Sequence, residues 1–115
     1  AAIINEKAAP YEVYNGLGKW NAYDIKFRAA RFDENGKLSE KAMTTIYFNG
    51  KKIHENVSIQ KVWGGPNSGL DGGRDGGEGI TNRPGGIKLQ AEGHEVLFRN
   101  IWIERLKLEK PNTDF

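Results

Sequence analysis

Lys41-Ala-Met-Thr-Thr-Ile-Tyr-Phe48, Asn49-Gly50, Lys51-Lys-Ile-His-Glu-Asn-Val-Ser-Ile59: two β-rich runs meet at an Asn-Gly pair. The first run is dense in Thr, Ile, Tyr and Phe, residues that suit a pleated, half-buried surface. Asn-Gly supplies positive φ cheaply and is the strongest short-range signal of a tight hairpin. The stretch therefore predicts two antiparallel strands.

Working outward, Trp20 to Ala30 predicts the strand before this hairpin. Tyr23, Ile25 and Phe27 alternate there with Asp24, Lys26 and Arg28, a period of two. A second Asn-Gly pair lies in Asp33-Glu-Asn-Gly-Lys37 and predicts a turn. Two such turns between alternating runs predict an antiparallel meander. Downstream, Gly85 to Leu106 holds two more apolar runs around the polar turn Glu92-Gly93-His94-Glu95, a predicted closing hairpin over 87–106. In that hairpin Val96 and Phe98 share one parity while Ile101 and Ile103 take the other, so a β-bulge is expected at Arg99-Asn100.

The remaining segments complete a single partial domain over residues 1–115. Residues 1–18 read as an irregular lead-in, punctuated by Pro10, Gly16 and Gly18. Residues 19–63 hold the strands. Residues 64–86 form a glycine-rich loop: ten of these 23 positions are Gly, a density that makes ordering costly in backbone entropy. Residues 107–115 are a charged tail. No helix and no internal repeat is expected. The fold class is all-β and antiparallel. About five strands bury one face of a sheet and then require a second layer. Either the sheet curls into a small barrel, or another polypeptide supplies that layer.

Composition narrows the function. Seventeen basic against fifteen acidic residues leave a net charge of +2, and the basic residues are scattered. A nucleic-acid or anionic-membrane partner is not expected. With no cysteine, disulfides and thiolate metal sites are excluded. No apolar run approaches the roughly 20 residues of a membrane span. Ala1-Ala-Ile-Ile-Asn5 lacks the charged and apolar regions of a signal peptide and reads as an internal start. A mean hydropathy of −0.66 suits a small β domain with long polar loops, or a piece of a larger one.

Three ordered blocks then resemble one family, the 3-keto-disaccharide hydrolase domain. Gly18-Lys-Trp-Asn-Ala-Tyr-Asp-Ile-Lys-Phe27 resembles its G-x-W-N-x-Y-D-I strand. Arg31-Phe-Asp-Glu-Asn-Gly-Lys37, followed by Thr44 to His54, resembles its R-F-D-x-x-G-K … T-V-x-x-N-G-x-x-I-H segment. Leu89-Gln90, Gly93, Val96 and Phe98-Arg-Asn-Ile101 resemble its closing L-Q-x-x-G-x-x-V-x-F-R-N-I segment. The resemblance implies a concanavalin A-like jelly-roll sandwich, similar to glucanases, of which this chain matches the C-terminal half. It implies a missing N-terminal half as partner, a carbohydrate substrate, and a periplasmic or extracellular bacterial setting. Many members carry L-Q-D-H-G where this chain has Leu89-Gln-Ala-Glu-Gly93, so no histidine role transfers to position 92.

The activity so implied is cleavage of glycosides already oxidised at C3, through C2 proton abstraction and elimination or hydrolysis at C1. It requires a base and a stabiliser of enolate charge, either donors or a divalent cation. No carboxylate pair of the ordinary glycosidase kind stands out, which favours the keto-sugar route. His54 and Glu92 are the expected catalytic groups. Gln90, Lys88, Trp63 and His94 are the expected substrate contacts. Each has a plainer reading: a surface or hydrogen-bonded histidine, a solvated sheet face, a core tryptophan. Asp71, Asp75 and Glu78 are weak metal candidates, because their spacing fits neither an EF-hand nor the nonapeptide calcium repeat. A non-catalytic carbohydrate-binding β-sandwich is the alternative, since jelly rolls host lectins as readily as enzymes.

Overall fold

The computed structural model describes residues 8–59, 82, 84, 86–87, 89–91, 93–107 and 109. Among them the chain is all-β, with five strands and no helix. Strands β1 (Tyr23–Arg28), β4 (Met43–Phe48) and β5 (Lys51–Ser58) form an antiparallel sheet in the order β1-β4-β5. The short β2 (Arg31–Phe32) and β3 (Leu38–Glu40) pair beside it. No helix among the described residues could cross a membrane.

Turn chemistry fixes the register. Asn49 and Gly50 have φ of +49° and +77°, both left-handed, as a two-residue hairpin demands. The β2–β3 turn is held by Asp33, whose Oδ1 accepts from the amides of Asn35 and Lys37, 2.9 Å each. The Asp33 carbonyl accepts from Gly36 N at 3.0 Å, where Gly36 has φ +77°. Asx geometry of this kind is why Asp opens so many turns. An ion-pair network ties β1 to the small sheet: Arg28 Nη1 lies 2.5 Å from Glu40 Oε2, and Arg31 Nη1 lies 3.1 Å from Glu40 Oε1. Desolvation pushes the Glu40 carboxyl up, but hydrogen bonds from both arginines and their charge outweigh it. The net shift is below the ordinary value.

One irregularity departs from simple alternation. Tyr47 pairs with Lys52 but Ile46 pairs with His54, so Ile53 is an extra residue in β5. The register slips again between Ile46 and Thr44. There Asn56 takes φ +46° and donates its amide to Thr45 Oγ1 at 3.0 Å. Both Ile53 and His54 are buried as a result.

The register places Tyr23, Ile25 and Phe27 on one face with Phe48, Ile46 and Thr44, and with His54 on β5. This is the apolar face that alternation predicts. It is covered over β4 and β5, where Phe48, Ile53 and Ala42 are the buried apolar side chains among the described residues. Over β1 it is open: Ile25 is 59% exposed, and Tyr23 and Phe27 nearly as much.

The expected closing hairpin lies partly outside the described residues. Its turn is present, with Gly93 at φ +75° and its amide donating to Ala91 O at 3.0 Å. The described residues of the two flanking runs form no strand pairing, and Ile87, Leu89, Val96, Phe98, Ile101, Trp102 and Ile103 are exposed. A two-stranded hairpin is marginal in water unless a third strand or a packed layer supports it. Among the described residues, no apolar layer covers those runs. The expected bulge at Arg99-Asn100 falls on a left-handed residue, Asn100, φ +54°.

Candidate functional site

The described part of the lead-in, from residue 8 on, forms no strand, yet it is bound firmly to the sheet. Asn49, in the tight turn, is the anchor. Its Nδ2 donates to Val13 O at 2.7 Å and to Asn21 Oδ1 at 2.8 Å. Its Oδ1 accepts from Ala22 N at 2.8 Å, and its own amide donates to Ala22 O at 2.9 Å. Asn21 in turn accepts from Asn15 N at 2.9 Å and donates to Lys19 O at 3.1 Å, while Asn15 Nδ2 donates to Trp20 O at 3.0 Å. Three asparagines therefore satisfy backbone groups that a loop would otherwise leave to water. Farther out, Tyr11 donates its hydroxyl to Lys52 O at 2.6 Å. The Arg99 guanidinium sits 3.7 Å over the Trp20 ring, a cation–π contact joining the first and third sequence blocks.

This anchored lead-in and the sheet border a shallow, open depression of about 400 Å3 lined by Glu12, Tyr14, Asn21, Tyr23 and Phe48. Its floor is an aromatic pair: the Tyr23 and Phe48 rings stack with centroids 4.4 Å apart and planes 18° apart. The register explains the stack, because Tyr23 and Phe48 are direct cross-strand partners. At the rim, Glu12 Oε1 accepts from Tyr14 N at 2.8 Å, which fixes the carboxylate. Burial, and then the Glu12 charge, raises the Tyr23 phenol above its ordinary 10.0. Tyr23 is therefore a neutral hydroxyl donor throughout the physiological range. A stacked aromatic floor with a fixed carboxylate and a phenol is the chemistry of a polyhydroxylated ring ligand.

The residues that the sequence singles out fall elsewhere. His54 is buried at 2% exposure, directly opposite Ile46 and outside the lining of the depression. Gln90 and His94 are exposed, near the turn at Gly93. Lys88, Glu92, Trp63, Asp71, Asp75 and Glu78 lie outside the described residues. Among the described residues, no three His, Cys, Asp or Glu side chains converge as a metal site. The depression uses groups that sequence reasoning passed over, Glu12 and Tyr14 in the lead-in. Their signal was the compact run Tyr11-Glu-Val-Tyr14, an acid between two aromatics a few residues ahead of Trp20-Asn21.

Comparison with known proteins is one-sided. A family model described as the 3-keto-alpha-glucoside-1,2-lyase-like domain matches residues 1–104. No curated protein and no solved structure matches the chain.

Proposed function

This chain belongs to the family of 3-keto-alpha-glucoside-1,2-lyase-like domains, and on that premise we propose that it cleaves glycosides already oxidised at C3. The family match over residues 1–104 carries the proposal. The aromatic and carboxylate depression beside it is compatible with a sugar ligand.

The chemistry follows from the ketone. A C3 carbonyl acidifies the C2 proton. A base removes that proton, the electron pair forms an enolate, and its collapse to a C1–C2 double bond breaks the C1–O bond. The aglycone leaves with a proton from an acid or from water. Addition of water across the double bond then completes a net hydrolysis. Each step needs a positioned base and stabilisation of enolate charge.

For the base we propose His54 or Glu92. His54 stands on the sheet face that carries Tyr23 and Phe48, so a ring seated on that face approaches it from the correct side. Gln90, Lys88, His94 and Trp63 are proposed as substrate contacts, and a divalent cation as an optional stabiliser. The architecture proposed is a concanavalin A-like sandwich, with a further polypeptide segment covering the open face of β1 and pairing with the runs around Gly93. A periplasmic or extracellular setting belongs to the same proposal.

The test is turnover of a 3-keto-disaccharide, with and without divalent cations. His54→Gln and Glu92→Gln are run in parallel, and circular dichroism confirms that each variant is folded. A loss of turnover in a folded variant identifies the base. One observation favours a second reading: at 2% exposure His54 is closed to solvent, as a structural histidine would be. Under that reading the domain binds carbohydrate without cleaving it. Glycan binding that survives His54→Ala and Glu92→Ala, with no catalysis in any form, selects it.

A further inference from the structure

We infer that the depression between the lead-in and the β1–β4 edge is a pyranose subsite. In it, a gluco-configured ring stacks its C–H face over Tyr23, which Phe48 backs, with its hydroxyls bonded to Glu12. The choice of a sugar rests on the glycoside reading above; the geometry of the site does not.

Three features of the depression point to this ligand. First, the floor is flat. Tyr23 stacks on buried Phe48, so its outer face is the open one, and a ring whose hydroxyls are all equatorial offers a matching C–H face. Second, the rim is polar and fixed. Glu12 holds one oxygen in the Tyr14 N–H bond, so the second is the acceptor left for a ligand hydroxyl. A charged acceptor roughly doubles the strength of such a bond. The Tyr23 phenol, kept neutral by burial and by Glu12, adds a donor. Third, the wall is already organised. Asn21 lines the depression while its amide is committed to Asn49, Asn15 and Lys19, so it shapes the site and is a positioning residue. Little ordering remains to oppose binding, which is the advantage of a preformed site. A volume of about 400 Å3 is at the small end for ligand sites and suits one ring.

Proton–nitrogen correlation NMR of the intact chain tests the assignment, with methyl glucoside as probe. Saturable shifts centred on Glu12, Tyr14, Asn21 and Tyr23 are expected, with a Kd on the order of 1 mM. Glu12→Gln is expected to weaken binding at least fivefold, and Tyr23→Ala to abolish it. Because Tyr23→Ala removes a cross-strand stack and risks the fold, Glu12→Gln is the deciding variant. Sorbitol, which has the hydroxyls without a ring face, is expected to give no saturable shift. Three results would overturn the inference: no saturable shift with methyl glucoside, unchanged affinity in folded Glu12→Gln, or equal binding of sorbitol. Methyl glucoside carries no ketone and cannot be cleaved by elimination. Its binding is thus scored separately from turnover of a 3-keto-disaccharide, and either result can fail while the other stands.

Discussion

Asn49→Ala should be among the most damaging single changes in the described part of the chain. Asn49 makes three side-chain hydrogen bonds, to Val13 O, Asn21 Oδ1 and Ala22 N, all at 2.8 Å or less. Each is worth roughly 1 kcal/mol net, about 3 kcal/mol together. The site is only half-buried, so water recovers part of this and about 2 kcal/mol remains. The residue also sits at φ +49°, which Asn tolerates and Ala does not, adding about 1 kcal/mol. The expected loss is about 3 kcal/mol. Asn49→Gly removes the same bonds without the backbone cost and should lose about 2 kcal/mol. Asn49→Asp keeps the acceptor for Ala22 N but turns a donor into an acceptor facing Val13 O and Asn21 Oδ1. It should be at least as unstable as Asn49→Ala. Urea unfolding followed by far-ultraviolet circular dichroism gives all three values. A loss under about 0.5 kcal/mol for Asn49→Ala, or equal losses for Ala and Gly, would refute the reasoning. The first result removes the anchor and the second removes the strain.

Other outcomes follow from the same geometry. The Glu40 carboxyl is lowered by Arg28 and Arg31, so its stabilisation is present above the ordinary value of 4.5 and lost as pH falls through the folded value. Glu40→Gln should therefore flatten the acid limb of the stability curve, and an unchanged limb would contradict the ion-pair assignment. Ile53→Ala should cost about 2–4 kcal/mol, because Ile53 is buried. Ile25→Ser and Phe27→Ser, on the open face of β1, should change stability by under about 0.5 kcal/mol and should reduce self-association in sedimentation. A chain that is monodisperse before those substitutions, at 12.9 kDa, would contradict the uncovered-face account.

The hairpin at the centre of the sheet was legible because its signals are local. Asn49-Gly50 specifies a backbone conformation on its own, and the alternation of Tyr23, Ile25 and Phe27 assigns those residues to one face. Whether that face is covered is a different matter, since periodicity reports sidedness and covering requires another layer. Residues 87–106 show the same distinction. Their β propensity is high and their turn forms at Gly93, but pairing needs a neighbour to pack against. The bulge in β5 was hidden because Ile53-His54 reads as one more alternating pair.

The candidate site was less legible than the fold. Histidines and carboxylates near family motifs draw attention as chemistry, yet His54 is buried within the sheet. The depression depends on hydrogen bonds between Asn49 and a lead-in 27 to 36 residues earlier, which no local pattern records. The family motifs do contain both ends of that clasp, Trp20-Asn21 and Asn49-Gly50. Their shared role in fixing the lead-in is structural, and it is what brings Glu12 and Tyr14 to the aromatic floor.

Action on 3-keto-glycosides is the activity proposed for this chain. The most direct measurement is to incubate the protein, together with any segment that completes its sheet, with a 3-keto-disaccharide in deuterated water. Release of free sugar and deuterium exchange at C2 are followed by NMR. The account predicts release accompanied by C2 exchange or by loss of the C2 hydrogen. No release and no exchange, with or without divalent cations, would contradict it.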